Sequence, residues 1–385
     1  MDTEINTKKR FRVMLPLGLM VCIVALLYAA WYVYEKIQTE RSVNLTQNAY
    51  IENEGLSDDL SDYEPMGVLY ASAVVDQGTT TTATIVAFDL AELSSPVQVI
   101  TDPFMYLTQN VLFEDSLGSP QYLLTTITPD SITSTGIAIP ALHVMTGTEA
   151  SGRSVVRAFR AAQSESLTGV SLSPDKVQVA FSQIRDETTI QNSSEAYDLR
   201  SWETVILDYQ TGEVLHVIEG GALGQWLSPT RLAFLRVDGV HVFDTTTADE
   251  WPLILAQPIK GDSTGVNIQT NMAATVDGSI LILTSPYMNR IEVFAVDTAD
   301  ARSTYSLGRI TVPGTQFFSP VVAPDNRSYA VHAVAEDGSQ SRIEIRPLTG
   351  RKVVQTVDIP DTIGAEGFAL DDWALVRDPS TGVAQ

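Results

Sequence analysis

The chain has 385 residues, with 24 basic and 47 acidic side chains, a net charge of −23 and a hydrophobic share of 44%. That apolar share excludes a wholly disordered protein and is enough for one or two domains. A surface this acidic repels nucleic acid, whose binding depends on Lys and Arg meeting phosphates. It governs solubility and partner choice rather than chemistry.

Val13 to Tyr34 is an uncharged run of 22 residues. At about 1.5 Å per helical residue it covers the roughly 30 Å hydrocarbon core of a bilayer. Lys8, Lys9, Arg10 and Arg12 precede it, whereas only Lys36 and Arg41 follow closely. The positive-inside bias therefore predicts residues 1–12 in the cytoplasm, a single transmembrane helix over 13–34, and the rest of the chain outside. Tyr28, Trp31, Tyr32 and Tyr34 form an aromatic belt at its far end. Tyr28-Ala29-Ala30 is a poor cleavage site, because a bulky side chain stands where a small one is wanted. The expectation is an uncleaved, single-pass anchor in a cell (inner) membrane.

Cys22 is the only cysteine, so the exported part has no intramolecular disulfide and must rely on its own core. That pattern points to a bacterial envelope. Residues 37–385 hold 19 basic and 44 acidic groups, a balance of −25. Between Arg41 and Arg153 there is no Lys or Arg, while 14 Asp and Glu fall there. Such a stretch reads as a solvated acidic surface, with a docking face for a basic partner or divalent cations as the sharper alternative.

Residues 35–65 form a polar, acidic connection without apolar periodicity, which reads as a tether. Asp58, Asp59, Asp62 and Glu64 lack the alternation and the following Gly of a calcium loop.

From Met66 onward one phrase recurs at intervals of about fifty residues: an apolar stretch, a turn, then a β-rich run. Leu172-Ser173-Pro174-Asp175-Lys176 and Leu227-Ser228-Pro229-Thr230-Arg231 are two copies, and Val276-Asp277-Gly278 and Val322-Ala323-Pro324-Asp325-Asn326 are two more. A fixed period of this length in strand-type sequence means a stacked or radial array. Asp238-Gly239, Asp277-Gly278 and Asp337-Gly338 are hairpin turns, since Gly tolerates positive φ. Four antiparallel strands per repeat describe a propeller blade. The first unit, with strands at 68–75, 83–89 and 97–100, lacks an innermost strand. Residues 366–371 have the pattern to supply it, which would remove two exposed sheet edges. The expectation is an all-β, six-bladed propeller over 66–377 with a tail at 378–385. Seven blades follow if Trp373 to Arg377 belongs to a further unit.

The phrase of an apolar residue, Ser-Pro-Asp-Gly and an apolar strand resembles the repeats of TolB-type, WD40-like propellers. Pro174-Asp175 and Pro324-Asp325 match best, although Lys176 and Asn326 stand where Gly is usual. The resemblance covers most of 100–377 and implies an extracytoplasmic propeller that acts as a protein-binding platform.

Chemistry-bearing motifs are sparse. Gly169-Val170-Ser171-Leu172-Ser173 lacks the closing Gly of a nucleophile elbow. His143, His216, His241 and His332 fall in different repeats, none with a second His at ligand spacing. No catalytic residue, metal ligand or cofactor is expected from these patterns. Loop length is more informative. The links between second and third strands are expanded at 76–82, 126–140 and 185–203, and loops beyond about 12–15 residues are usually functional or disordered. The last of these holds Asp186, Glu187, Tyr197, Asp198 and Trp202, the candidate binding residues. Tyr197 and Trp202 are the expected hot spots, because aromatics gain from burial at little entropic cost. The expected activity is non-catalytic binding of a protein or envelope polymer, basic in character. The alternatives are a lactonase- or lyase-type propeller enzyme with a carboxylate-bound cation at the channel mouth, and a structural role in envelope assembly.

Overall fold

The computed structural model describes residues 64–76, 81–91, 96–101, 111–114, 120–126, 141–146, 154–159, 167–185, 198–255, 270–285, 289–297, 303–360, 362–363 and 368–374. The anchor at 13–34 and the tether up to residue 63 lie outside them. Among the described residues no helix is long and apolar enough to cross a membrane.

Strands β1 (Val68–Asp76), β2 (Thr81–Asp89) and β3 (Val97–Thr101) open the first sheet, whose fourth member is the last of the described strands. The second sheet holds β4 (Val111–Glu114), β5 (Pro120–Thr126), β6 (Ala141–Thr146) and β7 (Ser154–Phe159). The third holds β8 (Leu167–Leu172), β9 (Gln178–Ile184), β10 (Trp202–Asp208) and β11 (Val214–Glu219). The fourth holds β12 (Ala222–Ser228), β13 (Arg231–Arg236), β14 (Gly239–Asp244) and β15 (Asp249–Leu255). In the fifth are β16 (Asn271–Ala274), β17 (Ile280–Ser285), β18 (Arg290–Val296) and β19 (Thr304–Thr311). The sixth has β20 (Thr315–Val322), β21 (Ser328–Ala335), β22 (Ser341–Pro347) and β23 (Gln355–Asp358). Strand β24 (Ala369–Ala374) then returns to β1, giving the order β24-β1-β2-β3.

All pairings are antiparallel meanders, which is the architecture of an all-β propeller. The inner strands neighbour one another in the order β24, β4, β8, β12, β16, β20 and back to β24. Four sheets are described down to their side chains throughout, the first is so described in part, and β4–β7 is described by its strands and their pairing. The expected alternative of an additional blade from Trp373 is corrected. Trp373 pairs with Leu69 inside β24, so it ends the first sheet rather than opening another.

The repeated phrase has a local cause. In Ser173–Lys176, Lys176 N–H donates to the Ser173 carbonyl at 2.8 Å, and Asp175 Oδ1 accepts Ser173 Oγ–H at 2.7 Å and Val177 N–H at 3.2 Å. The same wiring recurs at Asp277, whose Oδ1 accepts from Thr275 Oγ1 at 2.6 Å and Ser279 N at 3.0 Å. Asp325 Oδ1 accepts Arg327 N–H at 2.9 Å. The residue after each Asp is left-handed, with φ of 59° at Lys176, 68° at Gly278 and 55° at Asn326. Asx wiring supports the turn whether or not Gly follows, which is why the phrase tolerates Lys and Asn. These tips also join neighbouring sheets. Val276 N–H donates to Asn326 Oδ1 at 3.2 Å, and a Cβ on Gly278 would fall 1.9 Å from the Leu227 carbonyl oxygen.

Strands β8, β12 and β20 break register around Gly169, Leu223 and Ser319, with φ of 62°, 58° and 41°, and β12 shifts a second time between Trp226 and Ser228. A bulge at a matching place in these three inner strands bends each and sharpens its twist.

Closure joins the two ends of the described chain. Phe368, just before β24, is buried and meets the Phe88 ring edge-on at 6.1 Å and the His332 ring at 4.7 Å. It belongs to one apolar cluster with Leu69, Phe88, Ile343, Leu370 and Trp373. Trp373 Nε1–H donates to the Met66 carbonyl at 2.9 Å, and Ser72 Oγ–H to Asp371 Oδ2 at 2.6 Å. Pairing with β24 covers the edge that β1 would otherwise present.

Candidate binding face

The links between second and third strands differ in length. Chain 127–140 separates β5 from β6 and residues 185–201 separate β9 from β10, whereas β13 and β14 are joined through Val237-Asp238 alone. The long links are the expected binding elements. Asp186, Glu187 and Tyr197 lie outside the described residues. The base of their loop is described. Arg185 N–H donates to the Ser201 carbonyl at 2.8 Å, and a helical turn over Leu199–Ser201 starts at Asp198.

Asp198 is a structural carboxylate as much as a surface one. Its oxygens accept the Arg200 N–H at 3.0 Å and the Arg200 guanidinium at 2.6 Å. The Arg200 side-chain hydrogen bond is the main cause holding Asp198 below the ordinary carboxylate range, against a smaller upward push from burial. Trp202 is placed differently from the expectation. It is only 6% exposed and packs with Ile184, Leu199, Leu223 and Leu235, so it is a core residue and not an exposed anchor. The cause is that both faces of a blade are covered by neighbours. A strand's first aromatic is therefore as readily core as contact.

Sequence spacing missed a charged network at the rim beside this loop. Arg236 donates to both oxygens of Glu250, at 2.5 and 2.6 Å, and to the backbone carbonyl oxygens of Glu219 and Gly220 at 2.8 and 3.2 Å. Its guanidinium lies 5.2 Å from the centre of the Phe234 ring. One side chain thus pins the crossing from β11 to β12. His241 Nε2 is 2.9 Å from Asp238 Oδ1, and its Nδ1 lies 3.0 Å from Glu250 Oε1 without hydrogen-bond alignment. Arg185 pairs with Glu219 at 2.8 Å. Asp238 and Glu219 keep more than half of their side-chain surface in water. The face therefore presents carboxylates held by Arg185, Arg236 and His241. The only hint in the sequence was the tight Asp238-Gly239 turn, since the pairs themselves depend on the register of four strands.

The axis is chemically plainer. The six inner strands carry three ionisable residues, Glu114, Asp371 and Asp372. Asp371 is held by Ser72, and Asp372 Oδ1 accepts Trp373 N–H at 2.7 Å. The four histidines lie on β6, β11, β14 and β21. His216 Nε2 is 3.0 Å from the Thr245 carbonyl oxygen, and His332 Nε2 is 2.8 Å from Ser341 Oγ. Among the described residues no three His, Cys, Asp or Glu side chains are grouped to hold a metal ion.

No family model matches the chain, and no curated protein matches it. Solved structures do. The chain is similar to a protein assigned as TolB from Agrobacterium tumefaciens, at 12% identity and a TM-score of 0.47, over 81% of this chain and 100% of the other. It is also similar to the propeller domain of Cps50 (Swd1) from Myceliophteria thermophila, at 11% identity and a TM-score of 0.45, over 76% and 86%. A third is a protein assigned as a 6-phosphogluconolactonase from Bacteroides fragilis, at 10% identity and a TM-score of 0.45, over 78% and 83%.

Proposed function

We propose that the six sheets are the six blades of one propeller, that residues 13–34 anchor it in a cell membrane with the propeller on the extracytoplasmic side, and that it works as a non-catalytic platform. Its partner is a protein or envelope polymer of basic character, held on the face that carries links 127–140 and 186–197. One observation carries this reading. Ionisable groups are concentrated in a wired rim around Arg185, Glu219, Arg236, Asp238 and Glu250, while the inner strands contribute only Glu114, Asp371 and Asp372. Acid–base chemistry on the axis needs several converging groups poised within reach of a substrate. A fixed acidic rim suits charge-complementary docking, which sets partner choice and encounter rate. The balance of −25 beyond the anchor region favours a basic partner in the same way.

The test uses the full chain in envelope vesicles, with residues 186–197 replaced by a short Gly-Ser link. Arg185 and Asp198 are retained, so the base of the loop keeps its bonds. Chemical cross-linking should give a saturable adduct with the intact chain and lose it with the shortened one, at unchanged circular dichroism. An adduct of equal yield from both chains would remove this face from the account. The absence of any saturable adduct from the intact chain would remove the platform reading itself.

A further inference from the structure

The outermost strand of the third sheet is built unlike the other described rims. β11 pairs only with β10, so its other edge ends the sheet. Val214, Leu215 and Val217 are 55%, 43% and 50% exposed, three of the larger apolar exposures among the described residues, on one six-residue strand. The other outer strands with described side chains are blunted. β15 carries Asp249, Glu250 and Pro252, β19 carries Arg309 paired with Glu292, and β23 is four residues long. Charge, Pro and brevity are the devices by which sheets prevent edge pairing, and β11 has none of them between Val214 and Ile218.

The backbone of this edge is presented for pairing. Gly220 N–H donates inward to the Trp202 carbonyl, and the register continues as Glu203 opposite Glu219, Thr204 opposite Ile218 and Val205 opposite Val217. Hydrogen-bonded and non-bonded pairs alternate along an antiparallel ladder, so the N–H and C=O groups of Val217 and Glu219 turn outward. Ile218, on the alternate parity, is buried against Phe234 and Phe243 and fixes the strand in place.

From this edge we propose that β11 is a docking site for an extended segment of another protein, which adds to the sheet as an antiparallel fifth strand. Charge selects the occupant. Exposed Glu213 and Glu219 flank the apolar run, so the matching segment is apolar at alternate positions and carries Lys or Arg at its two ends. A second copy of this chain is disfavoured, because antiparallel pairing of two β11 strands sets Glu213 of one copy opposite Glu219 of the other. Glu219 is shared with the rim beside Arg185, so substitutions at Val217, which leave Glu219 and its pair in place, are the ones that test this edge apart from the face carrying link 186–197.

The experiment uses the full chain in detergent and a synthetic peptide, Lys-Val-Thr-Val-Thr-Val-Lys, followed by fluorescence anisotropy and by amide hydrogen exchange. The expected result is saturable binding with slowed exchange at Val217 and Glu219. Val217→Pro removes one outward N–H while sparing the ladder to β10, and should weaken the peptide by about tenfold or more. Thermal unfolding of that variant checks that the fold persists, and Val217→Lys serves as a second disruption should it not. Absence of binding, binding by both variants as tight as by the intact chain, protection elsewhere on the surface, or peptide-independent dimerisation through β11 would each overturn the proposal.

Discussion

His332 should make the closure of the ring sensitive to acid. It is 2% exposed, lies between the rings of Phe318 and Phe368, and bonds Ser341 Oγ through Nε2. Burial pushes its pKa from 6.5 down to about 4, against a weaker upward pull from the backbone of Phe368. The folded chain thus holds the imidazole neutral, while the unfolded chain protonates it near 6.5. The resulting stability is present in full above pH 6.5, declines as the pH falls below it, and is exhausted near pH 4. Each pKa unit is about 1.4 kcal/mol, so the whole window holds about 3 kcal/mol. Urea unfolding of the intact chain and of His332→Gln at pH 7, 6, 5 and 4 isolates the contribution, since His143, His216 and His241 are common to both. The gap between the two chains should shift by about 3 kcal/mol from pH 7 to pH 4. A gap that stays constant with pH would refute the assignment of a buried neutral imidazole.

Three further substitutions test packing at named contacts. Phe368→Ala should cost about 3–5 kcal/mol in denaturant unfolding, as expected for a buried ring that bridges Phe88 and His332. Gly278→Ala and Gly338→Ala share a left-handed φ near 70°, but only the first would drive a Cβ onto Leu227, while nothing lies within 4 Å of the second. Thermal denaturation should show Gly278→Ala the worse by at least about 1 kcal/mol. Glu344 lies buried between Arg342 and Arg346, at 2.6 Å from each, and Glu344→Ala should cost about 3 kcal/mol or more because the two cations lose their common partner. A loss below about 1 kcal/mol in the unfolding free energy would mean that water substitutes for the carboxylate.

The repeat was legible because its turn chemistry is local. Asp175, Asp277 and Asp325 wire their own hairpins, so three positions announce the fold without any long-range information. The closing strand was legible in kind but displaced by three residues, with β24 at Ala369–Ala374 rather than 366–371. Asp371-Asp372 interrupts the alternation of Phe368 and Leu370, and a register shift opposite Tyr70 and Ala71 lets the strand run on to pair Trp373 with Leu69. Trp202 was misplaced for a physical reason. Strand β10 is buried on both faces, with Val205 and Leu207 on one and Thr204 and Ile206 on the other, so alternation carries no inside-outside signal there. The charged rim was illegible because Arg236, His241 and Glu250 meet only across the register of β13, β14 and β15.

The fold depends on β24 completing the sheet begun by β1. Val68 lies opposite Ala374 in that sheet, and both are half-buried. In a chain with Cys22→Ser, which leaves no other thiol, Val68→Cys with Ala374→Cys should form an intramolecular disulfide under mild oxidant, since antiparallel partners have Cα atoms about 4.5–5.5 Å apart. The account predicts a cross-linked monomer with a raised unfolding temperature. Two thiols that stay reduced in the folded chain, or that link only between molecules, would contradict it.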